Sequence, residues 1–241
     1  RESLMANFPF QRLQADLAKL INKTRAGQRL PSEPDLAKQL GVSRATLREA
    51  MRSFETQGLL RRKQGSGTYV VGKIKALDSG LEVLESIDTL AKRQGLEVSL
   101  SDLNIETVQA DEELAAIFHL KESFKLTRIR RVIRTEGRPI AYLVDTLPED
   151  FLSAKDLPSG FNGSVLDFLL ARGDPLTSSR ADVSAIGASA DVAKPLEIQR
   201  GDVLLHFNSQ LFDANGKMVD ISMSYFIPGY FHFHIVRRVG S

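Results

Sequence analysis

Cysteine is absent from the 241 residues. That excludes a disulfide framework and any thiolate-bound metal, and it agrees with a reducing, cytoplasmic setting. Long apolar runs are missing as well: no stretch of about 18 apolar residues occurs, so no transmembrane helix is expected. The N-terminus lacks the basic-then-apolar order of a secretory signal, and Met5 is the expected native start. There is no internal repeat and no low-complexity tract. No nucleophile elbow, phosphate-binding glycine loop or carboxylate pair set out for acid–base chemistry is found. Of the four histidines, His119, His206, His232 and His234, the last two would share one strand face. No acid stands beside them in sequence to complete a ligand set, so no metal and no cofactor is expected.

What is present is an ordinary soluble composition, 42% hydrophobic and 26% charged, with enough apolar residues for one or two cored domains. The net charge of +2 hides an asymmetry. Residues 1–75 carry 15 Lys and Arg against 6 Asp and Glu, and residues 76–241 carry 17 against 24, a net of +9 and of −7. A basic first third on an acidic remainder predicts a polyanion partner for the first part only.

The basic third is organised around residues 42–55. Leu47, Ala50, Met51 and Phe54 fall at i, i+3, i+4 and i+7, one apolar stripe. Ser43 is placed to cap the helix, with Arg44, Thr46, Arg48 and Arg52 off the stripe. An earlier helix is predicted from Pro9 to about Thr24, with Leu13, Leu17, Leu20 and Ile21 as its stripe and Gly27 as its stop. Ser32 and Asp35 form a capping box for a second helix through Leu36, Ala37 and Leu40, and Gly41 ends it. Two short helices around a glycine turn are a helix-turn-helix pattern, the second helix being the reader. Beyond Gly58, residues 59–64 and 68–71 read as two strands joined by Gly65-Ser66-Gly67, a basic hairpin able to reach phosphates or the minor groove.

The run Leu30-Pro31-Ser32-Glu33, then Leu36-Ala37, Val42-Ser43-Arg44-x-Thr46-Leu47-Arg48-x-Ala50, Gly58-Leu59 and Gly65-x-Gly67-Thr68-Tyr69-Val70 resembles the GntR family of bacterial transcription regulators. The resemblance covers about residues 8–72. It implies a winged helix-turn-helix in which Arg44, Thr46 and Arg48 contact operator DNA, Ser43 caps and touches phosphate, and Gln64, Gly65 and Gly67 touch the adjacent groove. Pro34 stands where some members carry a DNA-contacting arginine, so that contact is not carried over.

Domain boundaries are expected at 6–73 for the reader, 74–83 for a polar linker and 84–241 for a second domain. In the latter a helix runs to Arg93 and Gly95 ends it. Strands are predicted at 98–108, 125–134, 140–146, 180–184, 203–212 and 219–226, with helices at 112–119 and 165–171. Gly137-Arg138 and residues 213–216 read as hairpin turns. Strands with segregated helices make this an α+β domain around an antiparallel sheet.

This half resembles the UTRA effector domain, which defines the HutC subfamily of GntR regulators. The resemblance is carried by Gly95, Ala110-Asp111-Glu112, Arg131, the Gly137-Arg138-Pro139-Ile140 hairpin and Leu147-Pro148. Further on it is carried by Gly163-Ser164-Val165-Leu166-Asp167-Phe168-Leu169, Asp213-x-x-Gly216-Lys217-Met218-Val219-Asp220, Ser222-x-Ser224-Tyr225 and Tyr230-Phe231-x-Phe233. It covers about residues 84–236 and implies a chorismate-lyase-like fold, a homodimer and a pocket for a small effector that changes affinity for a near-palindromic operator. The pocket residues it implies are Ser86 to Thr89, Arg131, Gly163, Ser164, Arg180, Asp220, Ser222 and Tyr225. A helix N-terminus at Ser164 offers free amides to an anion, and arginines pair with carboxylate or phosphate.

The departures from the family pattern also inform. Ile133, Leu143 and Ile227 stand where arginine or acid is common, and Asp88 adds negative charge near a helix start that often meets phosphate. These changes favour a small carboxylate or other weakly charged effector over a sugar phosphate. Two other function classes remain open at this point. One is a lyase-like enzyme, because fold does not fix function; the other is an architectural DNA binder whose second domain only dimerises.

Overall fold

Gly41 stops one helix with a left-handed φ of 67° and Ser43 caps the next, so the tight turn between the two rests on three residues. The computed structural model describes residues 7–63, 65–71, 76–121, 123–161 and 163–237. The chain divides into two compact units, Arg1–Ala76 and Leu77–Ser241.

In the first unit α1 (Asn7–Lys23), α2 (Glu33–Leu40) and α3 (Arg44–Thr56) precede a hairpin of β1 (Leu60–Lys63) and β2 (Gly67–Val70). Leu13, Leu17 and Ile21 of α1 meet Leu36 and Ala37 of α2, Leu47, Ala50, Met51 and Phe54 of α3, and Leu60 and Val70 of the hairpin, all buried. The stripes read from sequence are therefore the core, and burying each leucine or methionine supplies roughly 1.5–3 kcal/mol. Ser32 accepts from the Asp35 amide and Ser43 from the Thr46 amide at 3.1 Å, as the capping signatures require. The hairpin gains a third edge from residues 27–30: the Leu30 amide donates to the Thr68 carbonyl and the Val70 amide to the Gln28 carbonyl, 2.8 and 2.9 Å.

In the second unit β4 (Ser99–Gln109), β5 (Lys125–Thr135), β6 (Arg138–Pro148), β7 (Leu176–Gly187), β8 (Val203–Asp213) and β9 (Met218–Phe226) form one antiparallel sheet in the order β4-β5-β6-β9-β8-β7. Helix α6 (Val165–Arg172) lays Val165 and Leu169 on one face against Ile129, Leu147 and Leu211. Helix α5 (Glu112–Phe118) lays Ala115 and Phe118 on the other, against Leu126 and Ile221. Helices α4 (Ile87–Arg93) and α7 (Ala190–Ala193) complete the helical elements among the described residues.

Three expectations need correction. Leu77–Gly80, read as part of a polar linker, is a strand, β3, paired in parallel with β10 (Phe231–His234). Its Leu77 and Ser79 are buried, an alternation too short to read without the partner strand. The β5–β6 turn is Glu136-Gly137, φ 49° and 75°, because a two-residue turn of this hand needs positive φ at both central positions and Arg138 already pairs with Thr135. Strand β7 is twelve residues long rather than five; as an exposed edge strand it lacks the half-buried alternation by which strands are recognised.

Candidate functional sites

The tip of α3 carries Arg44, Thr46 and Arg48, all exposed, while Leu47 between them is fully buried. The helix thus hangs from its apolar stripe and presents its first turn outward. Ser43 Oγ lies 2.8 Å from Thr46 Oγ1, so the two hydroxyls form one polar cap beside the free amides. Arg44 has no ion pair among the described residues, but Arg48 has one. Its Nε donates to Glu33 Oε2 at 2.6 Å, and Arg62 of β1 approaches Glu33 Oε1 at 2.8 Å and Glu55 Oε1 at 3.4 Å. Glu33, at the start of α2, therefore holds two basic side chains of the reader face. In the sequence Glu33 stands only as the residue after the capping Ser32, with no sign of its reach. Burial pushes the Glu55 carboxyl up, against the lowering effect of Arg62.

At the hairpin tip Gly65 and Gly67 have φ of 73° and 116°. The Arg29 guanidinium crosses directly over Gly67, where a Cβ would push it aside, and it is the φ that favours glycine here. Lys63 lies 5.2 Å above the Tyr69 ring. Gln64, also expected at this surface, lies outside the described residues.

In the second unit the expected effector residues separate into two groups. Directly paired residues in an antiparallel sheet share a face, and the face alternates along each strand. The register Ile129↔Asp145↔Ser222 puts Arg131, Asp145, Asp220 and Ser222 on one face, the one covered by α6. The registers Tyr142↔Tyr225 and Arg180↔Gln210↔Ile221 put Tyr225 and Arg180 on the opposite face. There Tyr225 stacks on His206 and Tyr142, centroids 4.8 and 6.0 Å apart. Arg180 is an exposed edge residue 3.6 Å from Asp182. Arg180 and Tyr225 thus do not join the other expected residues, because Ser222 and Tyr225, three apart on one strand, must point opposite ways.

The remaining group converges. Gly163, φ 95°, lies against Leu100 and the Arg131 side chain; a Cβ there would stand 3.0 Å from Arg131 Cδ. Ser164 caps α6 by accepting from the Asp167 amide at 3.2 Å. Ser86 caps α4, and its hydroxyl donates to Asp167 Oδ2 at 2.6 Å, with Thr89 Oγ1 3.3 Å from the same oxygen. Asp167 therefore ties together the N-termini of α4 and α6. Asp88 sits in the same neighbourhood. Burial raises its carboxyl, the Arg131 charge lowers it and the Asp167 charge raises it again.

Arg131 is buried, and it donates from Nη1 to Asp145 Oδ2, also buried. Asp220 lies beside this pair, fully buried. It accepts from the Thr146 amide at 3.1 Å, and burial, followed by the charge and hydrogen bond of Asp145, pushes its carboxyl well above the usual range. Burial and the neighbouring Asp145 thus favour the protonated form of Asp220, while Arg131 is paired with Asp145. Asp145 and Asp167 were not among the expected site residues.

This proton gives a pH dependence. The folded chain keeps it after the unfolded chain has lost it at about pH 3.9, so stability from this group is complete below that pH and falls as pH rises through the raised native value. Asp220→Asn, which keeps a donor toward Asp145 and an acceptor for Thr146, is expected to melt above the unsubstituted protein at pH 8–9. The gap should close toward pH 5, by up to about 1.4 kcal/mol per pH unit crossed. Calorimetric melts across pH check it; parallel curves would mean that Asp220 is ionised when folded.

Comparison with known proteins accords with both units. Residues 10–70 match the bacterial regulatory proteins of the gntR family, and residues 93–232 match the UTRA domain. The HTH-type transcriptional repressor NagR of Bacillus subtilis is 29% identical over 188 residues, 78% of this chain and 76% of that one. The histidine utilization repressor of Pseudomonas putida is 29% identical over 177 residues, 73% and 70% of the two chains. The crystal structure of PhnF from Mycobacterium smegmatis superposes with a TM-score of 0.63 at 22% identity, covering 95% of this chain and all of that one; at that identity it speaks for the fold.

Proposed function

The chain belongs to the UTRA-bearing GntR family of bacterial regulatory proteins, and from that premise we propose that it is a homodimeric, cytoplasmic repressor whose effector is a small carboxylate of low net charge. The family and its relatives are DNA-binding regulators controlled through the UTRA domain, not enzymes. The lyase-like and purely architectural readings fall with that membership.

The observation that carries the effector reading is the balance of charge around Arg131. Its guanidinium is already paired with the buried Asp145, and Asp220 lies beside the two. Asp88 and Asp167 add further carboxyls around the same place. A phosphate dianion would meet net negative charge there, whereas a carboxylate carrying its own amine meets both signs. The carboxylate end suits the α6 amides at Ser164 and Arg131; an amine suits Asp88 or Asp167. The name of the histidine utilization repressor points to the same class of nitrogen-bearing acid. Arg180 and Tyr225, on the far face, are not part of this proposed site; Ser86, Arg131, Gly163, Ser164, Asp220 and Ser222 are, with Asp88, Asp145 and Asp167 added.

On the DNA side Ser43, Arg44, Thr46 and Arg48 are proposed to meet operator duplex in the major groove, with Gly65 and Gly67 at the adjacent groove. Two copies present two readers, so the operator is a near-palindrome. Linkage requires that an effector changing operator affinity be bound more or less tightly, by the same factor, when operator is present.

A thermal-shift panel on the full chain tests the effector class. Amine-bearing and plain monocarboxylates are expected to include a ligand that raises the melting temperature, equivalent to about 2.7 kcal/mol at a hundredfold excess over Kd, and that shifts operator affinity on titration. Stabilisation by sugar phosphates, with every carboxylate inert, overturns it.

A further inference from the structure

The strands β3 and β10 bring Asp78 to a pair of histidines far from it in sequence. Asp78 Oδ1 lies 2.8 Å from His232 Nδ1 and 3.1 Å from His234 Nδ1, and 154 residues separate Asp78 from His232. The three donor atoms lie within 4.8 Å of one another, and all three side chains are exposed. The geometry points to a divalent metal site of two imidazoles and one carboxylate, and we propose that it takes Zn2+ or a similar borderline transition ion, linking the first strand of this unit to its last.

The arrangement is built rather than incidental. Phe231 and Phe233 alternate with the histidines along β10 and pack on Phe226, 4.7 and 5.1 Å between centroids, with Phe233 also 4.8 Å from Phe207. These inward rings fix the strand so that His232 and His234 both project from its other face. On β3 the buried Leu77 and Ser79 turn Asp78 outward in the same way. The Asp78 backbone is clamped on both sides, its amide donating to Gln94 Oε1 at 3.0 Å and its carbonyl accepting from Gln94 Nε2. The parallel register sets Asp78 opposite His232 and Gly80 opposite His234. A Cβ at Gly80 would press on the Glu82 carboxylate and stand 3.5 Å from His234 Nε2.

Tetrahedral ligands about 2.0–2.1 Å from zinc stand about 3.3 Å apart. The carboxylate-to-imidazole separations of 2.8 and 3.1 Å need to open by only a few tenths of an ångström, within the freedom of exposed side chains. Two nitrogens and one oxygen without thiolate suit zinc, cobalt or nickel over magnesium or calcium. Water fills the remaining coordination. Three ligands on two strands make the metal a clip between β3 and β10, the strand that begins at the unit boundary and the strand near the end of the unit.

The test uses the full chain stripped with chelator, then titrated with zinc chloride and, separately, magnesium chloride, by calorimetry and by thermal melting. One zinc per chain and a raised melting temperature are expected, with no response to magnesium. His232→Gln and His234→Gln keep the side-chain bulk on exposed positions, so the fold, checked by circular dichroism, should persist; each is expected to raise the zinc Kd at least tenfold, and Asp78→Asn likewise. His119→Gln should leave it unchanged. No stoichiometric zinc binding, or binding that survives the His232→Gln/His234→Gln double substitution, overturns the proposal.

Discussion

Asp145→Ala is expected to lower the stability of the second unit by about 3–5 kcal/mol, the usual result of leaving a buried charge without its partner. Arg131 lies beneath the sheet face covered by α6, and its guanidinium donates to Asp145, itself buried. No water replaces the lost carboxylate cheaply. Asp220 is the nearest other carboxyl, and burial disfavours its charged form. For a unit of this size each kcal/mol moves the melting temperature by about 2–4 °C, so a loss on the order of 10 °C should appear in the second-unit transition alone. Arg131→Met should likewise destabilise, because it leaves Asp145 buried without its partner. The pair Arg131→Met with Asp145→Leu removes both charges and should recover most of the stability, yet still fail to respond to the effector. That combination separates holding the fold from binding the ligand. A loss below about 1 kcal/mol in Asp145→Ala would mean that the pair is not dry.

Arg44→Ala is expected to lose about 1–3 kcal/mol of specific operator binding, roughly five- to 150-fold in Kd, with melting and effector binding unchanged. Arg44 is exposed at the first position of α3 and has no ion pair among the described residues, so its whole donor set is available to DNA. Arg48→Ala should lose less. In the free protein Arg48 is held by Glu33 at 2.6 Å, and part of any gain from a guanine or phosphate offsets the loss of that pair. Glu33→Gln should accordingly tighten non-specific binding by freeing Arg48 and leaving Arg62 only its longer pair with Glu55. Anisotropy titrations at fixed salt, with operator and unrelated duplex side by side, resolve all three. Equal losses on both duplexes for Arg44→Ala would make it a phosphate contact only.

The reader was legible because its signals are local. The cap at Ser43, the stop at Gly41 and the stripe Leu47, Ala50, Met51, Phe54 each act within a few residues, and the buried set of the first unit is the set those stripes name. The strands predicted at 125–134 and 140–146 are the cores of β5 and β6, which run 125–135 and 138–148. What escaped depends on pairing across distance. Asp145 reads as an ordinary strand residue until the register places it beside Arg131. Asp167 and Glu33 read as first-turn helix acids, while their side chains reach Ser86 and Arg48 on other elements. Leu77-Asp78-Ser79-Gly80 is too short to show a period, and its partner strand stands about 150 residues on. The separation of Tyr225 from Ser222 differs in kind: an odd spacing on one strand already places them on opposite faces, whatever the family pattern implies.

The most direct measurement exposes the full chain to a pool of random duplexes at moderate, fixed salt and sequences what it retains. A regulator with a basic reader on a metabolite-sensing body should enrich one near-palindromic sequence, hold it less tightly as salt rises, and lose the enrichment when Arg44 becomes alanine. Retention of unrelated duplexes alike, or of none, would contradict it.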